Sequence, residues 1–335
     1  MRHPHRSSVV AVAAALLLTA CSSASPPASA PAPSPTSTRA ALRLVEELDP
    51  VTISATPFPD WVTVTEQGVW VANVGPGLTR YDRTGAVTAE VATGSIDNAM
   101  EAGFGRLWAT SAADPETGSA TVVGVDLEDP SDIVRVALPG MALPSESSVA
   151  VDDDAVWVLA EEEAPVLVQI DPLTAEIRGT MPAPDGAAAV RGGYDSLWVG
   201  IPGSDTVLRI DPADGSVQAE LPTGPAPTFI ALGAGAVWVV NSGDGSVTRI
   251  DPETDEAETV PASSAAVSGG DIAASDSSVW VRSTNELAVR LDPTTLQVTA
   301  RLGRAKGSGS IGIDGDGVWI SAHDVEAVYY VASPQ

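Results

Sequence analysis

The sequence is poor in the residues from which many enzyme sites are built. Its 335 residues include one cysteine, Cys21, and three histidines, His3, His5 and His323. A single cysteine excludes an intramolecular disulfide. With one histidine outside the first five residues, the chain cannot build a histidine-rich metal site or a histidine acid–base pair. A Ser-His-Asp arrangement would have to use His323.

Basic residues are also scarce. Seventeen Lys and Arg stand against 44 Asp and Glu, which gives a formal net charge of −27. A surface this acidic repels nucleic acid and anionic lipid headgroups, so we expect no nucleic-acid partner. The charge favours cations or basic partners without identifying any of them. Its simpler role is to keep the domain soluble.

The N-terminus carries a short apolar run. Arg2 and Arg6 precede Val9–Leu18, which is too short to span a bilayer as a stable helix. The run ends in Leu18-Thr19-Ala20-Cys21, which resembles the lipobox of bacterial lipoproteins. In that family the signal is cut before the cysteine, and the cysteine is lipid-modified. The resemblance implies a signal peptide over 1–20 and anchoring in the cell membrane on the extracytoplasmic side. The alternative is an ordinary secretory signal with a chance cysteine.

The next segment has the composition of a linker. Residues 22–40 consist of Ser, Thr, Ala and Pro with one charge, at Arg39. Such a segment cannot bury a core, so we expect residues 21–40 to be a disordered tether. The folded domain is then expected over 41–335.

Tryptophan, in contrast, is abundant and regular. Seven of the eight tryptophans recur at intervals of 38 to 49 residues: Trp70, Trp108, Trp157, Trp198, Trp238, Trp280 and Trp319. This period fits one four-stranded propeller blade per repeat. The sequence therefore predicts an all-β fold, a seven-bladed β-propeller of four-stranded blades.

Each repeat reads as short strands separated by turns. In the unit at 227–260, Trp238 lies in the second strand and Asp251-Pro252 follows the third. One tryptophan per second strand suits packing between blades. The repeated Asp-Pro pairs predict turns, because Asp bonds backbone N–H groups two residues on and Pro presets φ. These carboxylates are therefore interpreted as turn formers and not as catalytic acids.

The last repeat lacks a fourth strand before the chain ends. Its third strand is expected at Ala327–Val331, and Val51–Ser54 precedes the first full repeat as a fourth strand would. We therefore expect the N-terminal strand to complete the last blade, since closure removes exposed sheet edges. The preceding segment, 41–48, is open between a short helix and an extra strand.

Several polar and aromatic residues fall where loops meet on one face. Trp61 lies outside the tryptophan register, so it either covers the central channel, stacks on a ligand or fills the closure seam. His323 is followed by Asp324, which is placed to tune its pKa. The candidate ligand-binding residues are Trp61, Asn73, Asn241, Arg282, His323 and Asp324, and the loops between blades add Phe58, Asp60, Asp97 and Lys306.

Known cofactor and metal motifs are missing from the sequence. The segment 314–317 begins like a calcium loop, but Val318 and Val325 stand where further oxygen ligands are needed. A hairpin turn is the better interpretation. No phosphate-cradling Gly-Lys-Ser/Thr loop and no dinucleotide glycine fingerprint occur. We therefore expect no cofactor and no metal.

The repeat pattern Val-Trp-Val … Arg-Ile-Asp-Pro, clearest at 237–252, resembles streptogramin lyase-like and YVTN-type seven-bladed propellers. The resemblance covers residues 51–331 and implies the fold. Streptogramin lyases open a cyclic antibiotic with metal assistance, using histidines and a glutamate on one face. This chain lacks that histidine set, so no catalytic residue is carried over.

Two functions follow as hypotheses. In the first, a lipid-anchored propeller binds or scaffolds an envelope protein or a small molecule through its loop face and channel. In the second, it is a lyase or hydrolase built from carboxylates and His323.

Overall fold

The structure is a computed structural model, and it describes residues 40–332 except 56, 74, 76, 97, 112–118, 145–147 and 305–306. The expected signal peptide, Cys21 and the tether as far as Arg39 lie outside the described residues, as do Asp97 and Lys306. Within the described part of the chain, no helix is long and apolar enough to cross a membrane.

The described chain forms seven antiparallel four-stranded sheets, the blades, one of which gains a fifth strand. Two strands precede the first complete blade, and the remaining strands follow the chain from blade 1 to blade 7. In chain order the strands are β1 (Leu42–Leu44), β2 (Val51–Ser54); blade 1, β3 (Pro59–Thr65), β4 (Gly68–Asn73), β5 (Gly77–Tyr81), β6 (Val87–Val91); blade 2, β7 (Met100–Gly103), β8 (Arg106–Ser111), β9 (Thr121–Asp126), β10 (Ile133–Ala137); blade 3, β11 (Val149–Val151), β12 (Val156–Glu161), β13 (Pro165–Ile170), β14 (Ile177–Pro182); blade 4, β15 (Ala189–Gly193), β16 (Ser196–Ile201), β17 (Thr206–Ile210), β18 (Val217–Pro222); blade 5, β19 (Pro227–Gly233), β20 (Ala236–Asn241), β21 (Ser246–Ile250), β22 (Ala257–Pro261); blade 6, β23 (Gly270–Ser275), β24 (Ser278–Ser283), β25 (Ala288–Leu291), β26 (Val298–Gly303); blade 7, β27 (Ile311–Asp314), β28 (Gly317–Ala322), β29 (Ala327–Val331).

The blades close into a ring around a central channel. The first strand of each blade contacts the first strand of the next, and β27 of blade 7 contacts β3 of blade 1. The predicted all-β seven-bladed propeller is confirmed. The ring has two ends. One end carries the turns between first and second strands. The other end, called here the loop face, carries the loops after the second strands and the connections between blades.

Burial falls from the middle of each blade to its outer edge. Every residue of β20 is buried, whereas most of β22 is exposed. Second strands are buried on both faces because neighbouring blades cover both, which is why they are near-continuous apolar runs. Outer strands face solvent and carry polar residues.

The repeat tryptophans pack between blades, as expected. All seven are at most 1% exposed. Three indole N–H groups donate to a glycine carbonyl five residues earlier, for example Trp238 Nε1 to Gly233 O at 2.9 Å. In three blades an arginine of the third strand lies over the indole, as Arg209 does at 5.5 Å from the Trp198 ring centroid.

The aspartates after the third strands form turns, which confirms the interpretation from sequence. Oδ1 of Asp251 accepts hydrogen bonds from the backbone N–H groups of Glu253 and Thr254 at 2.9 and 3.1 Å. These bonds stabilise the carboxylate and lower the pKa of Asp251 below its usual value. Asp171 and Asp292 make the same bonds.

The N-terminal segment completes blade 7 and extends blade 6. Strand β2 pairs antiparallel with β29, with Ile53 opposite Val328, so the predicted closure of the last blade is confirmed. Strand β1 pairs parallel with β26 as a fifth strand of blade 6. A 3-10 helix, Val45–Leu48, follows β1, and its Val45 is fully buried. The segment left open by the sequence is therefore both a strand and a short helix.

Candidate functional site

Four of the six candidate residues lie at the loop face, where the ring closes. They are Trp61, Arg282, His323 and Asp324. Arg282 is the central member of this group. It is fully buried, and its Nε donates to the carbonyl of Ser321 in blade 7 at 3.0 Å. Its Nη2 donates to the carbonyls of Gly307 and Ser308 at 3.0 and 3.2 Å, and its Nη1 donates to Ser283 O. Arg282 thus joins blade 6 to blade 7.

Burial has a clear electrostatic effect on this guanidinium. Desolvation lowers the pKa of Arg282 to about 10, and the nearby Asp324 carboxylate opposes that shift. A group with this pKa is still charged at neutral pH. Arg282 is therefore a buried cation held by backbone carbonyls, and its donors are directed at the protein itself.

His323 and Asp324 lie together in the second 3-10 helix, His323–Val325. His323 Nδ1 is 2.9 Å from Asp324 Oδ1, without the alignment of a hydrogen bond. The imidazole stacks on Phe58, with ring centroids 4.1 Å apart. Burial lowers the pKa of His323, the Asp324 charge opposes that shift, and the Arg282 charge adds to it. The imidazole is therefore neutral at neutral pH.

Phe58 lies at the surface beside this histidine. It is 39% exposed and has a left-handed backbone with φ of 51°. That conformation is uncommon for a bulky residue and marks a position fixed by its surroundings. Val325 of the same 3-10 helix is 48% exposed. Phe58, His323, Asp324 and Val325 form a small apolar surface with one acidic edge, called here the seam surface.

Trp61 packs inside the ring. It is 4% exposed and lies tilted against Phe229 of blade 5, with ring centroids 6.3 Å apart. It also lines the central channel. Of the interpretations left open by the sequence, the structure supports a channel-wall side chain.

Asn73 and Asn241 make local hydrogen bonds within their own blades, 1 and 5. Each is the buried last residue of a second strand and not a loop residue as expected from the sequence. Asn73 Nδ2 donates to Thr79 Oγ1 at 3.2 Å, and Asn241 Nδ2 donates to Ser246 Oγ and Thr248 Oγ1 at 2.9 Å. These bonds stay within blades 1 and 5. Asn73 pairs with Pro59, next to Phe58 of the seam surface, whereas Asn241 lies in blade 5, away from that surface.

The central channel contains three charged residues that sequence reasoning missed. It encloses a cavity of about 320 Å³, whose lining comes from the first strands of the blades and includes Glu101, Arg191 and Asp271. For two of them, the pairing of first and second strands contains a signal that the sequence could have given. The residues paired with the repeat tryptophans on the first strands are Thr63, Glu101, Ala150, Arg191, Ala231, Ala273 and Gly312. Glu101 and Arg191 are the two charged members of that otherwise small set.

Glu101 and Arg191 both reach the inner edge of β11. Glu101 Oε2 accepts a hydrogen bond from the Val151 N–H at 3.1 Å. Arg191 Nη1 donates to the carbonyls of Val149 and Val190 at 2.9 Å. Burial raises the pKa of Glu101 to about 7, although the Arg191 charge acts in the opposite direction. The Arg191 charge therefore offsets only part of the cost of burying the Glu101 carboxylate.

Asp271 is more fully bonded. Its Oδ2 accepts from Ser310 Oγ at 2.6 Å and from the Ile311 N–H at 3.3 Å, and its Oδ1 accepts from the Ile272 N–H at 2.8 Å. Burial still raises its pKa. Among the residues that the structure describes, no group of three His, Cys, Asp or Glu side chains is placed to hold a metal ion.

Comparisons with known proteins identify the fold. No protein-family model matches the chain, and no curated protein matches it. Among solved structures, a streptogramin B lyase is similar at 17% identity and TM-score 0.64, over 84% of this chain and 96% of that one. The RRP9 WD40 repeats are similar at 10% identity and TM-score 0.68, over 83% and 94%. BamB from Moraxella catarrhalis is similar at 15% identity and TM-score 0.54, over 82% and 84%. At these identities the likeness concerns the fold.

Proposed function

We propose that this protein is a binding or scaffold propeller, held on the extracytoplasmic side of a cell membrane by lipidated Cys21. The observation that carries the binding role is the seam surface. Phe58 and Val325 expose apolar side chains beside a partly buried, neutral His323 and a half-exposed Asp324. Apolar patches edged by polar groups are typical of interaction sites. The partner that fits is an envelope protein with an apolar contact residue and a basic neighbour.

The anchor is proposed from the sequence of the N-terminus. Leu18-Thr19-Ala20-Cys21 follows an apolar run, and a Ser/Pro/Ala segment of about twenty residues separates Cys21 from the first strand. Fully extended, such a segment spans roughly 65 Å. The test is metabolic labelling with an alkyne fatty acid in a bacterial host. Label on the native chain and none on Cys21→Ser is expected, and unlabelled native protein would refute the anchor.

Partner capture tests the seam surface directly. Lys306 is the single lysine of the chain, which makes amine-reactive reagents unsuitable. We would place the photoreactive residue p-benzoylphenylalanine at position 325 in the full chain, irradiate intact cells and identify adducts by mass spectrometry. The expected result is one enriched envelope protein that is lost when Phe58→Ala and His323→Ala are combined.

A matched control is available at the opposite end of the ring. Phe104 is also 39% exposed, with φ of 55°, and lies in the turn between β7 and β8. Phe104→Ala should leave the adduct unchanged. Equal adducts from the native chain and from the Phe58/His323 double variant would refute the seam surface as the binding site.

A lyase or hydrolase is the second candidate, favoured by one observation. The pKa of Glu101, raised to about 7, lies in the range useful for general acid–base catalysis. Incubation of the mature chain with streptogramin B, followed by chromatography, tests the lyase form. We expect no ring opening, since His323 is the sole histidine beyond position 5. Turnover that disappears in Glu101→Gln would establish the enzyme instead.

A further inference from the structure

We propose that the central channel binds a small zwitterion, a free α-amino acid, between Glu101 and Arg191. This site is separate from the seam surface, so a failure to capture a partner at the seam surface would not contradict it. The channel lining consists of first strands, while the seam surface lies on the loops. The two sites therefore fail or succeed in independent experiments.

The position of the two side chains supplies the geometry. Glu101 comes from blade 2 and Arg191 from blade 4, and they meet the same inner edge of β11 in blade 3, at Val151 N and Val149 O. Two residues along a strand span roughly 7 Å. That separation brings a carboxylate and a guanidinium within reach of the two ends of one amino acid.

Each side chain keeps unused hydrogen-bonding capacity. Glu101 uses Oε2 for the strand edge, and Oε1 has no hydrogen-bond partner among the described residues. Arg191 uses Nη1 for two carbonyls, and its Nε and Nη2 donors have no partner among the same residues. Both residues line the cavity. Oε1 can accept from an α-ammonium group, and the remaining donors can hold a carboxylate.

The charges select a zwitterion over simple ions. A bare cation in the channel is attracted by Glu101 and repelled by Arg191, and a bare anion is attracted by Arg191 and repelled by Glu101. A molecule carrying both charges satisfies both groups. Asp271 already accepts three hydrogen bonds, so it offers no free acceptor to the ligand.

The size of the cavity agrees with a small ligand. Its volume of about 320 Å³ is at the lower end of the range for ligand pockets. The rest of the wall is apolar or small, with Ile230, Ile272 and Ile311 among its members. A short aliphatic or small polar side chain fits this lining.

The test uses the mature full chain and isothermal titration with L-alanine, L-valine, L-serine and L-glutamine. Each has two matched controls, the N-acetyl acid, which lacks the ammonium group, and the amino-acid amide, which lacks the carboxylate. We expect at least one free amino acid to bind and both of its blocked forms to bind at least tenfold more weakly. Equal binding of free and blocked forms, or no binding of any free amino acid at millimolar concentration, would overturn the proposal and indicate a water-filled channel.

Variants assign the site to its residues. Glu101→Gln keeps an acceptor for Val151 N–H and removes the charge, and it should weaken binding of the free amino acid at least tenfold. Glu90→Gln makes the same change on outer strand β6 and should have no effect. A Glu101→Gln protein that binds as tightly as the native chain would refute the site.

A second readout works on the native protein and does not depend on any variant folding. The ammonium ion needs the carboxylate form of Glu101, so affinity should rise as pH increases from 6 to 8. The charges that act on Glu101 are Arg191, which lowers its pKa, and Asp152, which raises it. Asp271 is the other acidic residue that lines the channel. Affinity that is constant over that range would contradict the assignment.

Discussion

Arg282 and Ser321 join two blades through a buried hydrogen bond, from the guanidinium Nε to the main-chain carbonyl, at 3.0 Å. Ser321 continues the connection, since its Oγ donates to the Asp60 carbonyl of blade 1 at 2.5 Å. Side chains of blades 6 and 7 thereby reach the strand that opens blade 1. The closure of the ring is therefore secured by polar contacts at the loop face as well as by β2.

We expect Arg282→Met to destabilise the fold by about 2–5 kcal/mol, because it leaves several buried carbonyls without a donor. The measurement is urea unfolding followed by tryptophan fluorescence. Arg178→Met is the control, since Arg178 makes an exposed ion pair with Asp171 and should cost at most about 1 kcal/mol. Equal losses in the two variants would contradict the assigned role of Arg282.

Gly124 faces Trp108 across strands β8 and β9. A Cβ at Gly124 would lie 2.6 Å from the indole Cζ3, so Gly124→Ala should destabilise by about 1–3 kcal/mol through overpacking. Gly179→Ala is the matched control on exposed strand β14, where a Cβ meets nothing within 4 Å. Thermal unfolding should show a lower melting temperature for Gly124→Ala than for Gly179→Ala. An unchanged melting temperature for Gly124→Ala would show that blade 2 can shift to accommodate the methyl group.

Strand β2 offers a test of ring closure on adjacent residues. Ile53 is 5% exposed and its neighbour Thr52 is exposed. Ile53→Asp should cost more than about 3 kcal/mol, because it removes apolar burial and places a charge between β2 and its neighbours. Thr52→Asp should be tolerated. Limited proteolysis would detect opening of blade 7 as early cleavage, and equal resistance of both variants would argue against closure by this strand.

The pKa of Glu101 makes a prediction about stability and pH. The folded protein holds this proton more tightly than the unfolded chain, whose Glu titrates near 4.5, so the folded state binds more protons between pH 4.5 and 7. The contribution of Glu101 to stability is therefore complete below pH 4.5 and is lost as pH rises through 7. The whole change is roughly 1–3 kcal/mol, since the side chain keeps some contact with the channel space.

The difference between native protein and Glu101→Gln isolates this effect from the other carboxylates. Urea unfolding at pH 5 and at pH 8 should show Glu101→Gln gaining stability relative to the native chain as pH increases. A constant difference between the two proteins at both pH values would contradict the raised pKa.

The sequence predicted the fold well because the signals are local. Trp238 and Asp251-Pro252 report a buried second strand and a tight turn within a few residues, and that chemistry repeats along the chain. The closure strand was also predictable, since a missing fourth strand at one end matches an extra strand at the other.

The site was predicted less completely because it depends on burial and register across blades. Arg282 is polar in sequence, but its donors are directed at backbone carbonyls of the next blade, which no local pattern reveals. Glu101 and Arg191 can be recognised as channel residues only when each is aligned with the tryptophan it pairs with, Trp108 or Trp198. Phe58 was included on the loop face, but its stacking on His323 required the ring to close.

The pairing of β1 with β26 and of β2 with β29 has a consequence for biosynthesis. The first two strands of the fold have partners that are made more than 240 residues later. Blades 1 to 5 each consist of consecutive strands and can assemble while the chain is still being made, whereas β1 must wait for β26 of blade 6 and β2 for β29 of blade 7. A chain that stalls before its last strand therefore exposes an unpaired edge at each end, which makes truncated products the species most prone to aggregate.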